Sequence, residues 1–587
     1  MRRLLFAVLL LGGLVTVPTS VGASGDDGKV TFTVGQLQDV DSLNVTVGVL
    51  VIDYEIWNLI WPSLTNMAAK DFSAEPAMAE SWSSSDDGLT WTYKMRSGMK
   101  WSDGEPLTAD DVKYTIDRAN EEEWNSHISI TANLTAEVID EATLEITTAV
   151  PDPRLPALGA YVIPKHIYEN VSADDMPNYP AEDKIGGGPF VLDEVSEEFV
   201  RLVRNPNWFG KSPAIDEVIF RLYADSNAQF QALKSGEIDA VAEVPEQSFA
   251  TINEGDNIAA INGNQGGFSE LAMNSGCSSS PGNGHPALTD KKVRQAINWA
   301  IDRDLLVEKT LNGYGIPGTA IVPSADPSWD LKVDDDKLYK YDPAKANALL
   351  DEAGWIDTNG NGVRDKDGQE LQLRFFDRSI GGGGDNTDFL TGWLSDVGIG
   401  TDVETMDDDT LTAVIGQNEF DLFTWGWVPF VDPDAELSYF ITSQATTDPE
   451  VVGYNDANWC SPEYDALYEQ QHVELDIAKR RELVQQMLEI FYEEAPYAVL
   501  YKYDDLQAIR SDRWENFVRQ PAETGPLLFT NTSPAYIELL PKGGGGDSDD
   551  GGGSAALWAG AGVAAVAIAG GGLWVRSRRK GSDDERE

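Results

Sequence analysis

The stretch Asp357-Thr358-Asn359-Gly360-Asn361-Gly362-Val363-Arg364-Asp365 sets oxygen-bearing side chains at loop positions one, three, five and nine, with glycine at six. That is the spacing with which a tight loop wraps a calcium ion. Position twelve departs from it, because Gly368 stands where a bidentate glutamate would, although Asp367 and Glu370 are close. The two readings are a structural calcium site held by Asp357, Asn359, Asn361 and Asp365, and a polar surface loop. The four histidines, His127, His166, His285 and His472, fall in no Ser/His/Asp or metal-ligand grouping. No GxSxG, HExxH or phosphate-binding loop occurs, and carboxylate pairs are too abundant in this acidic chain to single any out. No enzyme is expected. Cys277 and Cys460 lack a CxxC spacing, which argues against zinc; they form one bridge in an oxidising compartment, or remain two buried thiols.

The elements that must position any site are mixed strands and helices. Ser81–Arg96 alternates about Asp87-Gly88 and predicts a hairpin. Thr108-Ala109-Asp110-Asp111 has capping-box spacing and opens a helix carrying Val112, Ile116 and Ala119. Thr289 is the expected cap of a helix bearing Val293, Ala296, Ile297, Ala300 and Ile301. Ser461-Pro462-Glu463 starts another, and Asp476 begins the last long one, with Leu483, Val484, Met487, Leu488 and Phe491 on its apolar face.

With 98 acidic against 43 basic residues in 587, the formal charge is −55. Carboxylates spread this evenly read as a solvated surface, in a pattern that resembles the proteins of salt-loving archaea, and they repel nucleic acid. The ends fix the compartment. Basic Met1–Arg3, apolar Leu4–Leu14 and small residues through Ala23 predict an export signal over 1–23. At the other end, 543–554 is a Gly/Ser/Asp linker, and 555–575 is uncharged and long enough to cross a bilayer as a helix. Trp558 and Trp574 sit near its edges, and the basic run at 576–580 opens a cytoplasmic tail through 587. The body is expected outside the cell, tethered to its membrane. Sequons at Asn44, Asn133, Asn170 and Asn531 permit glycosylation there.

Several segments of the body carry a family likeness. They are Ala79–Trp82, Asp86–Tyr93, Trp101–Val112, Gly187–Phe190, Arg204–Gly210, Ala232–Asp239, Val293–Arg303, Leu350–Trp355 and Ser461–Asp465. Their order and spacing over Val30 to Pro541 resemble the oligopeptide/dipeptide-binding receptors of ABC importers, extracellular solute-binding protein family 5. The resemblance implies an α/β fold of the type II periplasmic-binding-protein kind, with two lobes and an extra sub-domain, to which the segment 555–575 is expected to add one C-terminal transmembrane helix. It places lobe one at 29–53, 187–267 and 496–541, the extra sub-domain at 54–186 and lobe two at 268–495. It also implies capture of a peptide or oligosaccharide without catalysis, and delivery to two permease subunits served by separate ATPases. A surface sensor that borrows the fold is the alternative.

In that family a Gly-Trp stretch lines the cleft, and an aspartate three residues after the Trp pairs with a peptide N-terminus. Here Phe430 stands three residues after Trp427, and Asp432 follows in an Asp-Pro segment. The resemblance therefore nominates Trp425, Trp427, Phe430 and Asp432 as ligand residues, with Arg378 for a ligand carboxylate and Asn44 near the first hinge. Flat aromatic faces suit sugar rings, aromatic side chains and N-blocked peptides, while a free α-amino group lacks its expected partner.

Overall fold

Alternation along Thr31–Gln36 buries Phe32 and Val34 on one side. In the computed structural model this strand runs parallel to Glu217–Leu222, setting Phe32 against Val218 and Val34 against Phe220. The structure describes residues 28–543 apart from 39, 41, 49, 123, 125–130, 132–133, 180–183, 254, 256, 279, 281, 323, 379–382, 429, 446–453 and 529–533. The export signal, the segment 555–575 and its basic tail lie outside the described residues. Among the described residues no helix is long and apolar enough to cross a membrane.

Lobe one is completed by the antiparallel strands Phe190–Val195 and Phe199–Arg204 and by the helix Ser226–Ser235. Asp225 caps that helix by accepting from the amides of Asn227 and Ala228, and Gly236, at φ 79°, ends it. The extra sub-domain is a four-stranded antiparallel sheet of Ala79–Ser84, Thr90–Met95, Thr143–Thr148 and Leu134–Asp140, in that spatial order, beside the helix Ala109–Glu122. The expected capping box is present: Thr108 Oγ1 accepts from the Asp110 amide, and Asp111 accepts from the Thr108 amide at 2.9 Å. One apolar core runs from Phe32 and Trp57 through Tyr93 and Trp101 without a break.

Lobe two is built on the strands Gln372–Arg378, Gly400–Met406 and Leu422–Trp427. Separate cores cover the two faces of this sheet, one containing Leu271, Ile297 and Phe375, the other Phe268, Phe423 and Leu488. Ser461 and Asp476 cap their helices as expected. Thr289 does not. Pro286–Thr289 forms a short 3-10 turn, and the Asp290 carboxylate accepts from Lys292 to cap Lys291–Ala300. Cys277 and Cys460 are joined as a disulfide, with Cα atoms 5.2 Å apart.

Two strands, Ile258–Met273 and Tyr497–Arg510, belong to both lobes and join their sheets into one. The outer halves pair from Ile258 with Arg510 to Gly263 with Asp505, and the inner halves from Gly267 with Tyr503 to Ala272 with Tyr497. Between the Gly263–Asp505 and Gly267–Tyr503 pairs the register slips. Two expected boundaries shift accordingly. The edge at Pro496 precedes residues that pair within lobe two, so the chain crosses back near Asp504 instead. The edge between Asp53 and Tyr54 would divide the continuous helix Val51–Ile60, whose buried face packs into the shared core.

Candidate solute-binding cleft

The register that creates the hinge also presents the aromatic strand. Trp427 pairs with Phe268 and Trp425 with Glu270, so the end of Leu422–Trp427 abuts the slip between the hinge strands. A Cβ at Gly267 would collide with the Tyr503 hydroxyl and the Trp427 carbonyl, so only glycine lets these three meet.

From this edge an aromatic set extends outward. Trp427 lies 5.3 Å from Tyr439 between ring centroids, Phe430 lies 6.3 Å from Tyr439, and Tyr454 lies 5.0 Å from it. Phe430 is 41% exposed. Arg378 ends its strand with the guanidinium 4.0 Å over the Trp425 ring, a cation–π contact. On the lobe-one side Tyr54 packs against Trp57 and Tyr161, and its hydroxyl is close enough to Tyr439 to raise the latter's pKa, although burial is the larger cause. Trp425, Trp427, Phe430 and Arg378 thus share one neighbourhood.

Asp432 and Asn44 are engaged elsewhere. The Asp432 carboxylate caps the helix Pro433–Ser438 and accepts two bonds, at 2.6 and 2.7 Å, from the buried Arg480 guanidinium. Asn44 donates to the carbonyls of Met176 and Tyr179 and accepts from the Thr46 amide. It lines a separate lobe-one cavity of about 610 Å³ with Gln36, Gln38 and Tyr179.

The lobes touch through a polar contact that no motif marks. Arg154, paired with Asp152 at 2.7 Å, reaches Asp434 at 3.5 Å across the cleft. Asp434 also accepts from Gln471 at 2.8 Å and lies 2.9 Å from His472 Nδ1. Burial opposes its charge, but the His472 bond and the Arg154 charge hold its carboxyl below the ordinary value. Sequence reasoning also missed Glu270, Glu436 and Asp456 behind Trp427. The available signal was a lone charge, Glu270, in the run Phe268–Met273, where Ser269 is the one other polar residue.

In the 357–365 loop, the Asp357 carboxylate accepts from the amides of Gly360 and Gly362, and Asp365 accepts from the amide and hydroxyl of Thr358. The Asn359 and Asn361 side-chain oxygens accept from the amides of Asn361 and Val363. Among the described residues no three or more His, Cys, Asp or Glu are grouped to hold a metal ion.

Two lobes hinged on a pair of strands, with an aromatic surface at the hinge, define a receptor that encloses a solute. The pattern of the bacterial extracellular solute-binding proteins, family 5 Middle, matches residues 73–448, and the chain belongs to this family. It is a solute-binding protein and not an enzyme. The oligopeptide-binding protein AppA of Bacillus subtilis is 27% identical over 463 residues, covering 76% of this chain and 81% of AppA. The structure of that protein with a nonapeptide superimposes with TM-score 0.69 at 23% identity, over 87% of this chain and 98% of its own. NikA of Brucella suis, solved with Fe(III)-EDTA, gives TM-score 0.73 at 24% identity, over 87% and 100%. At these identities the two structures establish the shared fold.

Proposed function

We propose that the chain is the solute-capturing subunit of an ABC importer, taking up an extracellular peptide or a similar oligomeric solute. The observation that carries this reading is the aromatic surface of Trp425, Trp427, Phe430 and Tyr439 at the mouth of a two-strand hinge. A solute held there touches both lobes and stabilises the closed form, which two permease subunits with separate ATPases would then receive. The oligopeptide-binding relative supports a peptide cargo. The same flat rings would also accept an oligosaccharide.

Thermal unfolding of the full chain in high salt tests this against free peptides, N-acetylated peptides, oligosaccharides and nickel. A ligand that binds only the native state raises the midpoint, by RT ln(1 + [L]/Kd) in free energy. A raised midpoint with one class names the cargo; silence across all of them sinks the reading in favour of a sensor.

The segment 555–575 would anchor this receptor at the cell surface, with 576–587 inside and the linker 543–554 holding it near its permease. A chain truncated after Lys542 should then leave the membrane fraction. The charge of −55 suits a salt-rich exterior. A structural calcium on Asp357, Asn359, Asn361 and Asp365 would lower the unfolding midpoint on chelation, whereas an unchanged midpoint would leave the loop as surface.

A further inference from the structure

We infer that Glu270, Glu436 and Asp456 form a subsite, behind the aromatic surface, for a positively charged organic nitrogen of the solute. This rests on the solute-binding reading above and narrows its cargo. Glu270 and Glu436 are both 0% exposed. None of their four carboxylate oxygens has a hydrogen-bond partner among the described residues. A buried acid with no partner is costly whether it is ionised or neutral, and one such group is uncommon. Two side by side mark a place where a donor from outside the chain belongs.

The topology puts the acids together. Glu270 pairs with Trp425 across the strands, so both project on the face that also carries Trp427. Glu436 lies one helical turn before Tyr439, which packs on Trp427. Asp456 follows Tyr454, which packs on Tyr439, and accepts from the Tyr497 hydroxyl. Each acid is thus one step behind an aromatic ring, and Asp456 is partly buried. The charges act on one another: burial, then Asp456 and Glu436, hold the Glu270 carboxyl well above the ordinary range, with Arg378 opposing. Burial and Asp456 do the same to Glu436. Burial pushes Asp456 up to about 7 against the pull of its Tyr497 bond.

The other ionisable groups near the cluster are Arg378, Tyr439, Tyr464, Tyr497 and Tyr503. Burial raises all four tyrosines, which therefore stay neutral, and among the described residues Arg378 is the one cation that acts on Glu270. Three acids facing one guanidinium leave room for added positive charge. An ammonium suits the space better than a bare metal ion. It donates hydrogen bonds to carboxylates and lies well against Trp427 and Tyr439, whereas the acids are not grouped for metal coordination.

The probes are putrescine, spermidine, the tripeptide Ala-Lys-Ala with a free N-terminus, its fully N-acetylated form, calcium chloride and nickel chloride. Each is titrated into the full chain and into Glu270→Gln and Glu436→Gln, which keep side-chain shape and remove charge. At least one amine should bind about 30-fold or more tightly than the acetylated tripeptide, the loss expected when a buried charge pair forfeits one partner. Both variants should erase that preference while keeping the parent circular dichroism spectrum. Amine affinity should also weaken as the pH falls below about 7, the value for Asp456, because the acids must ionise to pair.

Equal binding of free and acetylated tripeptide, or an undiminished preference in both variants, overturns the inference but leaves solute binding intact. Binding by a metal salt alone overturns it too. If no amine binds the inference fails, and if no probe of the broader panel binds either, the reading beneath it fails as well.

Discussion

Arg154→Ala removes the charged contact between the extra sub-domain and lobe two, and its effect can be worked from the geometry. At 3.5 Å the Arg154–Asp434 attraction is about 5 kcal/mol at an effective dielectric of 20, before desolvation. Asp434 is 5% and Arg154 28% exposed at the side chain, and Arg154 keeps Asp152 whether or not the lobes meet. The net contribution to closure is therefore about 1 kcal/mol. If the contact exists only in the closed form, its loss lowers the closed-to-open ratio about five-fold and weakens solute binding by a similar factor. Small-angle scattering of the full chain in detergent should show a larger radius of gyration for Arg154→Ala than for the parent. A cycle with Asp434→Asn should return a coupling near 1 kcal/mol, separating this pair from the Asp434 bonds to His472 and Gln471. The coupling should shrink in molar salt, where screening acts within about 3 Å. An unchanged radius together with zero coupling at low salt would refute the assignment of this contact to closure.

Trp427→Ala should abolish ligand-induced stabilisation, a loss of about 2 kcal/mol or more of binding, while far-ultraviolet dichroism stays native; unchanged affinity would remove Trp427 from the site. Asp432→Ala should instead destabilise the fold by about 3 kcal/mol, because it strands the buried Arg480 charge, and it should leave solute affinity within about two-fold. Denaturant unfolding and titration together separate those outcomes. Burial, opposed by its bonds to Tyr536 and Gln36, pushes Glu55 from 4.5 up to about 7. The folded chain then holds that proton more tightly than the unfolded chain. The resulting stability, about 3 kcal/mol, is full below about pH 4.5 and is lost as the pH rises through about 7. Glu55→Gln should flatten that part of the midpoint-versus-pH curve, and an equally steep curve in the variant would show that other groups cause it.

Local structure was legible where the signal was local. The Thr108 capping box, the Ser461 and Asp476 caps and the hairpin at Gly88 depend on residues within a few positions of one another. Thr289 misled because the adjacent Asp290 offers a charged acceptor, and the proline at 286 favours a separate short turn before it. Trp425, Trp427, Phe430 and Arg378 were nominated through the family likeness alone, since nothing in their own spacing distinguishes cleft from core. The same likeness could not show that Asp432 is taken by Arg480, 48 residues on, or that Asn44 holds backbone 132 residues away. Glu270, Glu436 and Asp456 come from a strand, a helix and a loop, so only the assembled fold reveals that they face one another. The crossing at Asp504 was hidden for a related reason: strand registry joins residues 242 positions apart, as between Gly263 and Asp505.

That registry also fixes an order of events during synthesis. The chain leaves lobe one at Gly263 and re-enters it at Asp505 on an adjacent rung, so lobe two is an excursion from a half-finished neighbour. Everything lobe two needs, up to Tyr503, has emerged before lobe one receives Asp505–Arg510 and the buried Trp514 and Tyr536. Lobe one must therefore wait with Ala240–Val241 paired to Thr31–Gln36 on one side and still without Ala508 and Ile509 on the other. A nascent molecule passes through a stage with one finished lobe and one exposed strand edge, which is the stage most open to aggregation.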